Sequence, residues 1–170
     1  VTIDEAITYD AYAGGGAIPG AGASNTLTGT VTLNESCDVR GNNIRWSGGI
    51  VSTANKGISI NGSKHTINTT PVDLGTGGFN VTSAGNNPAN ATMLNVGSNT
   101  WGSTILNWGG YLTLGLDDAL PATAPLTFAH DYHTVARSGT LDLNGHSQTV
   151  ASLATTASAV GKDGTRRITG

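Results

Sequence analysis

The sequence predicts an all-β chain wound as a right-handed parallel β-helix, and three observations carry that expectation. The first is a strand phrase at residues 139–145, where Leu141 and Leu143 alternate with Thr140, Asp142 and Asn144 before Gly145. That is the period of a strand with one dry and one wet face. The second is the return of the phrase. Ile58 to Ile67 aligns without a gap on Leu141 to Val150, Gly29 to Asn34 repeats its first half, and Gly110 to Gly115 and Gly78 to Val81 are looser copies. About five copies spaced roughly 20 to 35 residues apart signal stacked units that cannot bury their faces alone. The third is composition: 25 glycines, only 11% charged residues, and Thr, Asn and Ser in most remaining positions. Such a chain is poor in helix formers and rich in turn formers. An antiparallel β-sandwich is the alternative, because short strands separated by turn residues suit either architecture. The recurrence favours the solenoid, where like residues stack above like at about 4.8 Å per coil.

In chain order, Ile3 and Ile7 with Tyr9 and Tyr12 form a short edge strand or a helical turn capping the stack. Residues 13–23, rich in Gly and Ala, read as a flexible connector. They are not a phosphate loop, since no Gly-Lys-Ser/Thr follows. Residues 1–23 therefore form an N-terminal extension and connector, and residues 24–170 the β-helix repeat domain. Candidate strands are Thr28 to Leu33, Asn43 to Trp46, Gly49 to Ser52, Gly57 to Ile60, His65 to Thr69, Phe79 to Thr82, Thr92 to Val96, Ser103 to Asn107 and Tyr111 to Leu114. Leu33, Ile60, Leu114, Leu143 and Val150 are expected to point inward, and a second short run after Asn144-Gly145 to bury Val150 and Leu153. Asn34, Asn61 and Asn144 follow the inward residue in three copies, which suggests an amide ladder at one corner. The tail, with Lys162, Arg166 and Arg167, reads as the polar edge after the last coil.

From Gly109 onward the phrases fall in a familiar order: Gly109-Gly110, Leu112-Thr113-Leu114-Gly115, Asp117-Asp118-Ala119-Leu120-Pro121, Gly139 to Gly145, and Gln148 to Leu153. In this order residues 109–153 resemble the autotransporter-associated β-strand repeat of bacterial secreted and surface proteins. The resemblance implies a passenger-type β-helix, export to the exterior or the cell surface, and an architectural duty. Nothing here resembles that family's membrane-embedded translocator. Low cysteine content agrees with export in extended form, as the resemblance implies.

A net charge of −3, no long basic run and 5% aromatics lack the footprint of a nucleic-acid binder. Cys37 is the only cysteine, so neither an internal disulfide nor a multi-cysteine metal site is available. Beside Leu33 and Val39 it reads as a small buried thiol. No apolar run approaches the ~20 residues of a spanning helix, and Val1 to Glu5 lacks the pattern of a signal peptide, which implies a removed signal or an excerpt.

Candidate chemistry is sparse. Trp46, Trp101 and Trp108 are each closely followed by glycine. Trp101 with Trp108 is the pair to consider as a carbohydrate platform, against a role filling corners of the core. Asp117-Asp118 invites comparison with the carboxylate pairs of polysaccharide-cleaving enzymes. Adjacent strand residues point to opposite faces, however, and they precede Ala119-Leu120-Pro121, which the resemblance implies is a turn, so a solvated turn is expected. His130 and His133 have poor metal spacing and read as a polar loop. Asn34, Asn61, Asn68, Asn80 and Asn90 head glycosylation sequons, which also arise by chance in such a composition.

The sequence thus leads to a non-enzymatic structural or adhesive β-solenoid module without cofactor, catalytic residue or metal. It is expected to continue within a longer chain or to associate end to end, with Ile3 and Ile7 as the assembly strand. A carbohydrate or cell-surface ligand is the expected partner class. A carbohydrate-binding or polysaccharide-degrading β-helix is the alternative.

Overall fold

The structure, a computed structural model, describes residues 1–10, 24–82, 87–129, 139–156 and 165–170. The connector expected at 13–23, the His130 to His133 segment and Lys162 lie outside the described residues. The chain winds through short strands coil by coil. The first coil holds β1 (Thr2–Ile3) and β2 (Ile7–Tyr9), and the second β3 (Asn25–Leu27), β4 (Val31–Leu33) and β5 (Cys37–Asn42). Next come β6 (Ile44–Trp46), β7 (Ile50–Val51) and β8 (Ile58–Ser63), then β9 (Thr66–Asn68), β10 (Val72–Asp73) and β11 (Gly78–Thr82). Later coils carry two strands each: β12 (Thr92–Asn95) with β13 (Ser103–Asn107), β14 (Tyr111–Leu114) with β15 (Leu126–Phe128), and β16 (Gly139–Asp142) with β17 (Leu153–Thr155). β18 (Arg166–Thr169) follows.

Among the described residues these strands stack into three sheets of eight, four and six strands, the faces of a β-solenoid. Face one runs β1-β3-β6-β9-β12-β14-β16-β18, face two β2-β4-β7-β10, and face three β5-β8-β11-β13-β15-β17. Pairing is parallel throughout, as between β14 and β16 on face one, β2 and β4 on face two, and β5 and β8 on face three. The sandwich alternative, which needs antiparallel partners, is thereby excluded. β1 and β2, which precede the expected connector, pair with β3 and β4 and form the first coil.

Register explains the core. On face one Ile3, Leu27, Trp46, Ile67, Leu94 and Leu114 are successive partners in one column. On face three Cys37, Ile58, Phe79, Thr104, Leu126 and Leu153 form one column, and Val39, Ile60, Val81, Leu106 and Phe128 another. Because side chains alternate across a strand, each column stays on the inner side of every coil. Burying each aliphatic member contributes about 1.5–3 kcal/mol. Leu33, Ile60 and Leu114 are buried as expected, and Leu143 and Val150 are half-buried against the core. Leu153, expected inside, is 56% exposed: it belongs to an inward column, but β17 is the outermost strand of its face among the described residues.

The recurring phrase is a word for a strand and its corner rather than for one coil. Its copies occupy β4 on face two, β8 and β11 on face three, and β14 and β16 on face one. This corrects the expected amide ladder. Asn61 lies between Arg40 and Thr82 on face three. Asn34 donates its Nδ2 to Asp10 beyond face two (2.6 Å), and Asn144 donates to the Leu114 carbonyl beyond face one (3.2 Å). Asn34 and Asn144 lie just past β4 and β16, whereas Asn61 lies within β8, so the three do not stack.

Candidate functional surface

The carboxylates singled out in the sequence are engaged in holding adjacent coils together. Asp117 accepts from the Ser147 amide (2.8 Å) and Asp118 from the Thr149 amide (2.9 Å), which pins their turn to the following coil. The Ser147 amide is the main cause holding the Asp117 carboxyl below its usual range, with His146, whose Nδ1 lies 3.3 Å away, adding to it. Both aspartates are exposed, as expected of a turn. Gln148 extends the interlock: its Oε1 accepts from the Leu120 amide (2.8 Å) and its Nε2 donates to the Leu120 carbonyl (3.0 Å). Asp142, on the outward side of β16, accepts from the Tyr111 hydroxyl (3.2 Å) and from Thr169 (3.2 Å), so it ties three strands of face one.

Of the tryptophan pair, Trp101 is enclosed in the core. Trp101 is 2% exposed, stacks on Phe79 with centroids 4.6 Å apart, and donates its indole N–H to Thr104 (2.8 Å). A ring enclosed in this way has no free face for a sugar. Trp108 is half-buried at the corner between β13 and β14, in a left-handed conformation with φ 49°, and Gly109 follows at φ 79°. Gly102, beside Trp101, is bare because a Cβ there would run into the Thr76 backbone. Trp46 is also buried.

Two groups inside the stack titrate abnormally. Cys37, the first member of a core column, is buried, and desolvation, assisted by the negative charge of Asp38, pushes its thiol up to about 11. His65 is fully buried. Its Nε2 lies 2.9 Å from the Gly41 carbonyl, and its Nδ1 has no hydrogen-bond partner. Burial lowers its pKa, opposed by the bond to Gly41. The corner is bare for a reason: a Cβ on Gly62 would run into the same Gly41 carbonyl.

The outer surface offers two further features. A trough of about 570 Å³ crosses β5, β8 and β11 on face three, with Asp38, Ser59 and Asn80 along it. Among the described residues, aliphatic side chains are also exposed at the outermost coils. Ile3 is 39% exposed at one, and Ile168 (48%) and Leu153 lie exposed at the other. Of the two strands bearing Ile3 and Ile7, β1 pairs with β3 and β2 with β4 of the same chain. No sequence motif marked the trough, which arises only when coils are laid on one another.

Among the described residues, no group of three or more His, Cys, Asp or Glu side chains could hold a metal ion, and no helix is long and apolar enough to cross a membrane. No protein-family model, curated protein or solved structure matches the chain.

Proposed function

We propose that the chain is an extracellular structural or adhesive β-solenoid module of a bacterial surface protein or filament, which associates end to end by strand addition. The observation that carries this reading is the pair of outermost described strands on face one. β1 and β18 are its terminal strands, both parallel to the rest of the sheet, and Ile3 and Ile168 expose aliphatic surface there. An unpaired edge beside an exposed column end is a template for another strand. Charge agrees: exposed Asp4 and Glu5 follow β1, whereas β18 carries Arg166 and exposed Arg167. A head-to-tail contact of this kind does not close and so grows linearly. The extracellular setting comes from the sequence resemblance. The engagement of Asp117 and Asp118 in coil-to-coil bonds supports an architectural duty over a catalytic one.

Light scattering and electron microscopy across a concentration series test the assembly. Particle length should grow with concentration in the native chain and fall in Ile168→Pro, which removes both an edge N–H and the apolar contact. A native chain that stays monomeric at high concentration defeats end-to-end association.

A further inference from the structure

The trough on face three is a built feature, and we infer that it binds a neutral, hydroxyl-rich chain, a linear oligosaccharide, laid along the solenoid axis. The inference rests on the adhesive reading of this surface module but not on its assembly.

Two outward rows shape the trough. Register places Asp38, Ser59 and Asn80 in one row across three successive strands. One step toward the start of each strand lie Ser36, Gly57 and Gly78. Gly57 keeps its row low, because a Cβ there would meet the Gly78 carbonyl oxygen at 2.8 Å. The result is a strip of bare backbone beside a rail of short polar side chains. Its volume of about 570 Å³ falls in the range of small-ligand sites.

The chemistry of the rail asks for donors. Asp38 Oδ1 and Asn80 Oδ1 are buried as the side chains stand and have no hydrogen-bond partner in the protein, and in the neighbouring outward row the same holds for Asn107 Oδ1 and the Thr82 hydroxyl. Acceptors left without donors are a cost that a native structure has reason to offset. The two in the rail sit on outward side chains, so modest rotation turns them toward a ligand without disturbing the core. Ser59 between them offers a hydroxyl that can give or accept.

Charge selects the ligand class. Asp38 Oδ2 is paired with Arg40 at 2.8 Å, and Glu35 with Lys56 at 3.0 Å, so both signs beside the trough are neutralised locally. A polyanion or polycation gains no field there. A chain of neutral sugars supplies hydroxyl donors, and the row repeats every ~4.8 Å, an advance close to that of one sugar ring. Successive rings would meet Asp38, Ser59 and Asn80 in turn.

Titration calorimetry of the intact chain against glucan, xylan, mannan and chitin oligosaccharides, with pectin and alginate oligomers for comparison, tests this. At least one neutral oligomer should bind. Ser59→Arg, which fills the trough from its outward rail, should abolish that binding, and Asn80→Ala should weaken it several-fold. Thr66→Arg on face one should leave it unchanged, and circular dichroism should show all three variants folded. Absence of binding to every neutral oligomer overturns the proposal, as does a preference for the charged oligomers or equal affinity in Ser59→Arg. Failure here with concentration-dependent growth intact would remove the ligand and leave the assembly standing.

Discussion

His65 shows what one residue can impose on a stacked core. It directly precedes β9, and its carbonyl accepts from the Met93 amide of β12 (2.8 Å), so the imidazole is level with Thr92 inside the coils. In the neutral ring one nitrogen donates to Gly41 while the other has no partner, and a second proton there would place a charge in the buried interior. The folded pKa is lowered from 6.5 by desolvation, so between the folded and unfolded values the unfolded chain binds more protons. Stability from this group is complete above the unfolded pKa and falls as pH drops through it toward the folded value. Thermal melts from pH 8 to pH 5 should show a falling Tm in the native chain and a smaller fall in His65→Gln, which keeps a donor for Gly41. An unchanged slope would place the acid sensitivity elsewhere. In the sequence His65 read only as the start of a strand. Its burial depends on Gly41, in another coil, presenting a carbonyl at that corner.

At the scale of elements, the second face changes character partway along the chain. It has strands through β10, an isolated parallel bridge from Asp73 to Thr100, and then turns. Side chains take over the ladder. Asn99, 8% exposed, accepts from the Val72 amide (2.8 Å) and donates to the carbonyls of Val96 (2.6 Å) and Ala119 (2.8 Å). Asp117, Asp118 and Gln148 do the same one coil further on. Each replaces a backbone partner that a strand would have supplied. Asn99→Ala should therefore lower the urea midpoint far more than Asn34→Ala, whose side-chain bond is exposed. Each buried group left without a partner costs about 1–3 kcal/mol. Equal midpoints would mean that the turns stand without the amide. The turn at Asp117-Asp118 was expected, because Asp117 to Pro121 stands where the resembled repeat has its turn. The sequence had no means to identify Asn99, since an isolated asparagine in a chain full of them shows no pattern until its three partners are brought around it.

For the whole molecule, a solenoid is held by contacts between neighbouring coils, so stability is a sum of local terms and its ends open first. Amides of β8 and β11, flanked on both sides by partner strands, should exchange slowest, and those of β1, β17 and β18 fastest, by hydrogen exchange followed by mass spectrometry. Uniform protection along the stack would show one cooperative unit instead. The same logic separates what could be read from what could not. Period-two alternation and turn chemistry are properties of a few consecutive residues, so the sequence by itself determined that the chain is all-β. Ser103–Asn107 and Tyr111–Leu114 were placed to the residue, and the recurrence identified a stacked architecture. Strands without a marked phrase, Cys37–Asn42, Val72–Asp73, Leu126–Phe128 and Arg166–Thr169, went unrecognised. They are stabilised by neighbours in adjacent coils more than by their own pattern. Only the tertiary structure decided which face each strand joins, because a strand and its corner read alike on all three. Register then buried Trp101 against Phe79, placed Asn34, Asn61 and Asn144 on three different faces, and aligned Asp38 with Ser59 and Asn80. Those relations join residues about one coil apart, and nothing in either segment alone specifies which partner will lie beneath it.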